Sequence, residues 1–269
     1  MKLPKEKTDR ISEVIKNILI ARTEKFPDLN HQNRNAPFHD MILNAFEKQL
    51  KPIHVPTPYL VAISSWMHGL STSLGNGFEE LAHILSGGYK RKFTKVFTLK
   101  VKRSQASNIE KIVRELKAGV VPNIKRENNL IFNFSRSEPQ ENSLEFTVDN
   151  YIEDENLIEG IELKSVRPNS GEGRGEKQKI LYAKAAFKKQ SPNKEVKYYI
   201  GFPFDPTSTT ATGYDKERFF NYLIEFKKFF SPDEVLLSSE LWDHLSGQKN
   251  TMDEIFEVIS KTVEEVVKS

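Results

Sequence analysis

The pattern of apolar positions at the start of the chain predicts helices. Five apolar side chains recur at helical spacing and share one face of a helix over residues 8–21: Ile11, Val14, Ile15, Ile18 and Leu19. A second helix is predicted over 38–50. Three prolines then interrupt the chain: Pro52, Pro56 and Pro58. We therefore expect residues 1–58 to form an N-terminal helical region.

The middle of the chain predicts strands. Basic residues alternate with apolar residues or threonine between 89 and 102, which predicts one long basic strand. Further strands are predicted in NLIFNFSR, SLEFTVDNYI and LIEGIELKSV and at 196–202. Helices are predicted at 107–118, 175–189, 215–230 and 251–268, and in FEELAHILSGG after a turn in STSLGNG. Strands in the middle and helices at both ends predict an α/β fold, with a central mixed sheet flanked by helices.

The composition excludes several kinds of protein. The chain has 269 residues and no cysteine, which excludes disulfide scaffolds, thiol nucleophiles and cysteine-ligated zinc. Its six histidines lack the spacing of a zinc site. No apolar stretch approaches the roughly 18 residues that span a bilayer, and MKLPKEKTDR lacks the apolar core of a signal peptide. We expect a cytoplasmic protein with no membrane partner.

Charged residues are segregated along the chain, although the net charge is small. The chain has 40 Lys and Arg against 37 Asp and Glu, a net charge of +3. Residues 88–126 hold twelve bases and two acids, a local charge of +10. Residues 138–163 hold nine acids and no base, and 164–198 hold ten bases and three acids, giving −9 and +7. An acidic block between two basic ones suits a site that binds a cation within a surface that attracts a polyanion.

The acidic block contains a candidate metal site. If 144–150 and 158–165 are antiparallel neighbours, Asp149 and Glu162 lie close together near the strand ends. Lys164 follows Glu162 by two residues and therefore projects from the same strand face. Carboxylate oxygens suit Mg²⁺, and an adjacent lysine can orient water or neutralise a phosphate. The alternative is a solvated surface cluster, because an acid and a lysine at this spacing are common on strands.

These residues and their neighbouring segments resemble a known nuclease family. Asp149, Glu162 and Lys164 are arranged as in the PD-(D/E)xK nuclease core. ELKSVRPN followed by EKQKILYAKAAF is similar to type II restriction endonucleases, particularly the TdeIII-like group. HGLSTSLGNGFEELAHIL, YYIGFPFDP and the segment from FFSPDEVLL onward also resemble these enzymes. The resemblance covers about residues 60–260. It implies a restriction-endonuclease-like core over 59–269, within one nuclease domain that comprises the whole chain, 1–269.

The resemblance implies roles for individual residues. It implies that Asp149 and Glu162 hold Mg²⁺ with the carbonyl of Leu163 as a third ligand, and that Lys164 positions or activates the attacking water. The proline that usually precedes the first acid is replaced by Val148. Two acids of the following turn compete with Asp149 for its role: Asp154 and Glu155. Asp149 is preferred because FTVDNYI has strand character, whereas EDEN is typical of a hairpin turn.

The resemblance also implies an acid that helps to order metal or water, on the helix that precedes the basic strand. Glu79 fits this role best, and Glu80 is adjacent to it. The alternative is that Glu79 only stabilises the start of its helix, where acidic residues are common.

The resemblance also implies an activity and partners. It implies Mg²⁺-dependent hydrolysis of double-stranded DNA at a short palindromic site, GGNCC-like for the TdeIII-like group, which leaves 5′-phosphate ends. A palindrome is most simply cut by a two-fold symmetric homodimer. A companion DNA methyltransferase in a prokaryotic restriction-modification system is implied as well. Two alternatives remain open: a PD-(D/E)xK nuclease of DNA repair or recombination, and a non-catalytic DNA-binding protein.

Basic and polar residues on either side of the acidic block are the candidates for DNA contact. Those expected to face phosphates are Lys90, Arg91, Lys92, Lys95, Lys100, Lys102 and Arg103. The loop and helix after the ExK strand contribute Arg167, Asn169, Arg174, Lys177 and Gln178. For Lys177 and Gln178 the alternative is a basic helix face exposed to solvent.

Overall fold

The computed structural model describes residues 2–28, 37–46, 56–94, 97–165 and 170–268. Its helices are α1 (Lys5–Thr23), α2 (Pro37–Asn44), α3 (Thr57–Ser86), α4 (Arg103–Lys117), α5 (Ile124–Phe132), α6 (Ser170–Gln190), α7 (Lys216–Tyr222), α8 (Ser239–Ser246) and α9 (Thr251–Lys268). Its strands are β1 (Tyr89–Phe93), β2 (Lys100–Lys102), β3 (Gln140–Asn142), β4 (Phe146–Glu153), β5 (Leu157–Leu163), β6 (Glu195–Phe202) and β7 (Val235–Leu237). Short 3₁₀ turns cover Phe226–Lys228 and Pro232–Glu234. None of the helices in these ranges combines the length and apolar character needed to span a bilayer.

A mixed five-stranded sheet forms the centre of the fold, in the order β1-β4-β5-β6-β7. β1, β4 and β5 are antiparallel neighbours, and β6 and β7 continue the sheet in parallel. Helix α6 makes the crossover from β5 to β6, because parallel neighbours need a long connection. β2 and β3 form a separate antiparallel ribbon. The predicted α/β fold, with a central mixed sheet flanked by helices and an N-terminal helical region, is confirmed.

Helix α6 is tied to the sheet by aromatic packing. Phe187 on α6 is 1% exposed. Its ring centroid lies 5.3 Å from that of Phe93 on β1 and 5.9 Å from that of Phe146 on β4. Full burial of one such side chain contributes about 1.5–3 kcal/mol. The packing therefore fixes α6 against β1 and against β4, which belongs to the acidic block.

Two compact units are distinguished within the chain. One comprises Met1–Pro4 and Leu81–Ile255 and contains both sheets. The other comprises Lys5–Glu80 and Phe256–Ser269 and is helical where it is described. The first boundary thus lies inside α3, not at residue 58. The prediction that the chain is a single nuclease domain remains a prediction.

The predicted turn in STSLGNG is wrong, because α3 continues through it. Three hydroxyl side chains of this segment donate to carbonyls four residues earlier, which accommodates them within a helix: Ser71, Thr72 and Ser73. A Cβ on Gly77 would lie 2.7 Å from the Ile18 side chain of α1. This glycine permits close packing of α1 on α3.

The predicted long strand over 89–102 is also wrong, because the segment forms β1 and β2 in different sheets. The last pair of β1 joins Phe93 to Phe146, which is the first residue of β4. β1 therefore has no partner along β4 beyond this point. β2 pairs instead with β3, which places Val101 opposite Glu141.

The strand predicted in NLIFNFSR is wrong, since α5 ends at Phe132 within this segment. The Asn123 side chain accepts a hydrogen bond from the backbone N–H of Arg126 at 2.9 Å and caps the helix. A short apolar run such as 130–132 does not by itself distinguish a strand from a buried helix.

The other predicted elements are confirmed to differing extents. The helix predicted over 215–230 is shorter, because α7 ends at Tyr222 and a 3₁₀ turn follows. α2 ends at Asn44, and the end of the predicted 38–50 helix lies outside the described residues. Within a few residues, α1, α4, α6, α9, β4, β5 and β6 match their predictions.

Candidate active site

The acidic block forms the β4–β5 hairpin. Asn150 pairs with Ile161, so the next residues, Asp149 and Glu162, lie opposite each other. Their side chains are 13% and 8% exposed. The backbone N–H of Leu163 donates to Asp149 Oδ2 at 3.1 Å. The predicted antiparallel arrangement of these two acids is confirmed.

The turn of this hairpin uses the acids that compete with Asp149. Asp154 Oδ1 accepts hydrogen bonds from the backbone N–H groups of Asn156, at 2.7 Å, and Leu157, at 2.8 Å. These bonds lower the pKa of Asp154. Asp154 and Glu155 are both exposed. The first of these acids closes the turn, and the arrangement favours Asp149 as the partner of Glu162.

A β-bulge lies at Asp149. The register between β1 and β4 shifts by one residue, so Lys90 faces both Asp149 and Asn150. Bulges bend a strand and redirect its side chains, and they are frequent beside active sites. Lys90 Nζ lies 3.7 Å from Asp149 Oδ1. This lysine, predicted to face phosphate, therefore lies beside the candidate metal-binding acid.

The end of α3 holds the bulge in place. His83 Nε2 lies 2.7 Å from the backbone carbonyl oxygen of Asp149 and donates to it. The Ser86 hydroxyl donates to Asn150 Oδ1 at 3.0 Å. A Cβ on Gly88 would lie 2.5 Å from the same oxygen. Gly88 therefore allows this close approach of the chain to β4.

Lys164 lies directly after β5 and is directed toward several carboxylates. Its backbone N–H donates to Gly201 O at 2.9 Å, which extends the pairing with β6. Lys164 Nζ lies 3.6 Å from Glu162 Oε1 and 2.9 Å from Glu176 Oε1. Burial alone would lower the pKa of Lys164, but these carboxylates, chiefly Glu176, raise it. Lys164 is therefore held in its charged form.

Two residues of α6, Glu176 and Lys179, belong to the site and were not identified from the sequence. Lys179 Nζ lies 2.7 Å from Glu162 Oε1 and 2.6 Å from Glu176 Oε2. Burial raises the pKa of Glu162 to about 7, although the ammonium group of Lys179 opposes this rise. Burial would also raise the pKa of Glu176, but Lys179 and Lys164 bring it below its usual value. Spacing of three residues on a helix was the signal that could have paired Glu176 with Lys179.

Tyr198 on β6 was also missed. It pairs with Gly160, and a Cβ on that glycine would lie 2.6 Å from the Tyr198 ring. The Tyr198 ring therefore packs over β5 at Gly160, which has no side chain. Burial raises the pKa of the Tyr198 hydroxyl well above its usual value, and the nearby Glu162 and Asp149 add to this effect. The hydroxyl has no hydrogen-bond partner among the described residues.

Two lysines predicted to contact DNA are buried within the protein. Lys177 is fully buried, and its Nζ lies 2.6 Å from both Glu127 Oε2 and Glu234 Oε1. Lys102 is 4% exposed, and its Nζ donates to the carbonyls of Arg136 and Glu138 at 2.7 Å. An ammonium group enclosed by such acceptors does not reach a phosphate. The phosphate-facing roles of Lys102 and Lys177 are therefore wrong, as is the solvent-exposed alternative for Lys177.

The remaining DNA-contact candidates lie in different environments. Arg91 Nη1 lies 3.1 Å from Glu153 Oε2, and the guanidinium lies over the Tyr151 ring at 4.4 Å. Gln178 is half-buried. The exposed candidates are Lys90, Lys92, Lys100, Arg103 and Arg174. Lys95, Arg167 and Asn169 lie outside the described residues.

Glu79 and Glu80 belong to the second compact unit. Glu79 is half-buried and Glu80 is exposed. Both lie far beyond the first turn of α3, which begins at Thr57. The helix-start alternative for Glu79 is therefore wrong, and its role in the site remains a prediction.

The acids of the site fit a hard cation. No group of three or more His, Cys, Asp or Glu side chains in the described part of the chain is arranged to hold a metal ion. Mg²⁺, however, binds through as few as one or two carboxylates and keeps several waters. Glu162 Oε2 is buried and accepts no hydrogen bond from the described residues. A buried carboxylate oxygen without a partner is costly unless a cation or donor satisfies it.

Comparison with known proteins assigns the chain to a family. The family described as "Type II restriction endonuclease, HinfI" matches residues 3–263. The type II restriction enzyme MjaII of Methanocaldococcus jannaschii is 45% identical over an alignment of 267 residues, which covers 97% of this chain and 71% of that protein. The narrower resemblance to the TdeIII-like group is not confirmed. The chain belongs to the HinfI family of type II restriction endonucleases, which are site-specific deoxyribonucleases.

Proposed function

We propose that the chain hydrolyses both strands of duplex DNA at a short palindromic site in a Mg²⁺-dependent reaction, and that Asp149, Glu162 and Lys164 carry it. The supporting observation is the opposition of Asp149 and Glu162 on adjacent strands, with the Lys164 ammonium 3.6 Å from Glu162 Oε1. In a family that cleaves DNA, such a group of two acids and one lysine would bring a cation and a charged lysine to one phosphodiester.

Asp149 and Glu162 would hold the cation through carboxylate oxygens, with the carbonyl of Leu163 as a third ligand. When bound, Mg²⁺ supplies stabilisation of the charge that develops on the phosphate and lowers the pKa of water. Glu162 has an oxygen available for this purpose, since Oε2 accepts no hydrogen bond from the described residues. Asp149 is held by the Leu163 N–H, which fixes its carboxylate relative to Glu162.

Lys164 would orient the attacking water or neutralise the phosphate. Its ammonium is positioned by Glu176 at 2.9 Å and is kept charged by the surrounding carboxylates. A preorganised charge of this kind acts on the transition state without further reorganisation. Water attacks phosphorus in line, and the P–O bond to the 3′ oxygen breaks, which leaves a 5′-phosphate and a 3′-hydroxyl.

Exposed lysine side chains around the site would hold the DNA. Lys92 and Lys100 are exposed, and Lys90 lies 3.7 Å from Asp149, so phosphates that contact Lys90 also approach the acids. Phosphate contacts of this kind give affinity and register. Cleavage of a palindrome is most simply achieved by a homodimer, and a companion DNA methyltransferase would protect the host sites.

The test is digestion of phage DNA with and without Mg²⁺, followed by sequencing of the cut ends. We expect discrete fragments that share one palindromic sequence and carry 5′-phosphates. A GGNCC plasmid is the first defined substrate, chosen from the TdeIII-like resemblance alone. Random degradation, or cleavage at branched structures only, would contradict the proposed site-specific reaction.

A further inference from the structure

Glu176 occupies a central position among the charges of the site. Its Oε1 lies 2.9 Å from Lys164 Nζ and its Oε2 lies 2.6 Å from Lys179 Nζ. Each oxygen thus contacts a different ammonium group. The Glu176 side chain is 15% exposed, so water screens these interactions only weakly.

This division of contacts affects Glu162. Lys164 Nζ remains 3.6 Å from Glu162 Oε1, a longer separation than its 2.9 Å contact with Glu176. Lys179 Nζ contacts the same Glu162 oxygen at 2.7 Å. Both ammonium groups are therefore on the Oε1 side, and Oε2 is left without a hydrogen bond from the described residues.

We propose that Glu176 and Lys179 are positioning residues for DNA cleavage: Glu176 draws Lys164 away from Glu162, and Lys179 orients Glu162 so that Oε2 faces the cation. This inference rests on the proposed function of the site. Without Glu176, Lys164 would be free to pair with Glu162 in addition to Lys179, and it would compete with a divalent cation for that carboxylate. Without Lys179, Glu162 would lose the contact that selects one of its oxygens.

The experiment measures cleavage and cation binding separately. Glu176→Gln retains the size of the side chain but removes its charge. We expect its single-turnover cleavage rate at saturating DNA and Mg²⁺, and its Mn²⁺ affinity without DNA, each to fall by about 10–100-fold. Mn²⁺ binding is followed by the electron paramagnetic resonance signal of the free ion. The KM for DNA should stay within about twofold, because Glu176 contacts no phosphate in this account.

Lys179 provides a second test through a conservative variant. We expect Lys179→Met to lose about 10–100-fold in rate and Lys179→Arg to regain most of it, because arginine can donate to both carboxylates. The matched control is Glu225→Gln, which breaks another ion pair of three-residue spacing, Glu225–Lys228 at 2.7 Å. That pair is exposed, and its loss should change neither the rate nor the Mn²⁺ affinity by more than about twofold.

The outcomes distinguish this inference from the function on which it rests. Wild-type cleavage with unchanged rate and Mn²⁺ affinity in Glu176→Gln would overturn the positioning role alone. Failure of the wild type to cleave any DNA with Mg²⁺ would overturn the proposed function. The role of Glu176 in positioning the cation site would then be tested by Mn²⁺ affinity alone, and an unchanged affinity in Glu176→Gln would overturn it. If Glu176→Gln does not fold, equal rates in Lys179→Met and wild type would overturn the inference.

Discussion

Replacing Lys177 with methionine removes a charge from the middle of a buried network. Lys177 Nζ lies 2.6 Å from both Glu127 Oε2 and Glu234 Oε1, and all three side chains are at most 4% exposed. Lys184 is also buried and interacts electrostatically with both acids. Lys177→Met preserves an unbranched apolar stem but leaves two buried carboxylates with one cation. Removing one partner of a buried pair costs about 3–5 kcal/mol, and we expect the free energy of unfolding to fall by that amount.

The assay is urea denaturation followed by circular dichroism. Lys228→Met is the matched control, because its 2.7 Å pair with Glu225 is exposed, and such pairs contribute less than about 1 kcal/mol. The double variant Lys177→Met with Glu127→Gln should recover part of the loss, since one acid and Lys184 then remain in balance. At 25 °C the folded variant should retain its specific activity.

A DNA-binding measurement separates this account from a phosphate contact. A lysine that neutralises one phosphate contributes about 0.9 to the slope of log K against log salt concentration. We expect Lys177→Met to leave that slope unchanged. Wild-type stability together with a slope reduced by about 0.9 would refute the buried-network account.

Three further predictions follow from individual contacts. Burial lowers the pKa of Lys184 from 10.5 to about 8. Between about pH 8 and pH 10.5 the unfolded chain binds a proton that the folded chain lacks. The free energy of unfolding should therefore rise with pH across this range, by up to about 3 kcal/mol. Urea unfolding at a series of pH values should show this rise in the wild type and not in Lys184→Met. Gly160→Ala would place a Cβ 2.6 Å from the Tyr198 ring and should destabilise the protein by about 1–3 kcal/mol, and wild-type thermal stability would contradict this. Lys92→Ala should reduce the salt slope of DNA binding by about 0.9, and an unchanged slope would remove Lys92 from the DNA-binding surface.

The strands of the acidic block were predictable because their signals are local. The alternation in FTVDNYI and the polar turn EDEN define β4, the hairpin and β5, and the spacing of Glu162 and Lys164 places both on one face. The family resemblance added the type of enzyme. Membership of a type II restriction endonuclease family decides against both alternatives considered, the repair or recombination nuclease and the non-catalytic DNA-binding protein.

The wrong predictions have tertiary causes. STSLGNG has the composition of a turn, but close packing of α1 at Gly77 holds the segment in α3, and its hydroxyl groups are accommodated there by bonds to carbonyls four residues earlier. The alternation of basic and apolar residues over 89–102 is continuous in the sequence. The segment nevertheless forms two strands, because β4 begins opposite Phe93 and offers β1 no further partner residue.

The same limit applies to the lysines of α6. Lys177 and Lys179 are two residues apart on one helix, and their sequence context is equally basic. Packing separates them, because the first pairs with buried Glu127 and the second with Glu162 in the candidate site. Which basic residue meets solvent, DNA or a buried acid is decided by which helix face packs on the sheet.

The most direct test of the account compares DNA cleavage and DNA binding in Glu162→Gln. We expect wild-type protein to cleave its site with Mg²⁺ and Glu162→Gln not to cleave it. We also expect the variant to bind the same duplex with a Kd within about threefold of wild type, because basic side chains outside the acidic cluster supply the phosphate contacts. Cleavage by Glu162→Gln at the wild-type rate would contradict the assignment of this carboxylate to the active site.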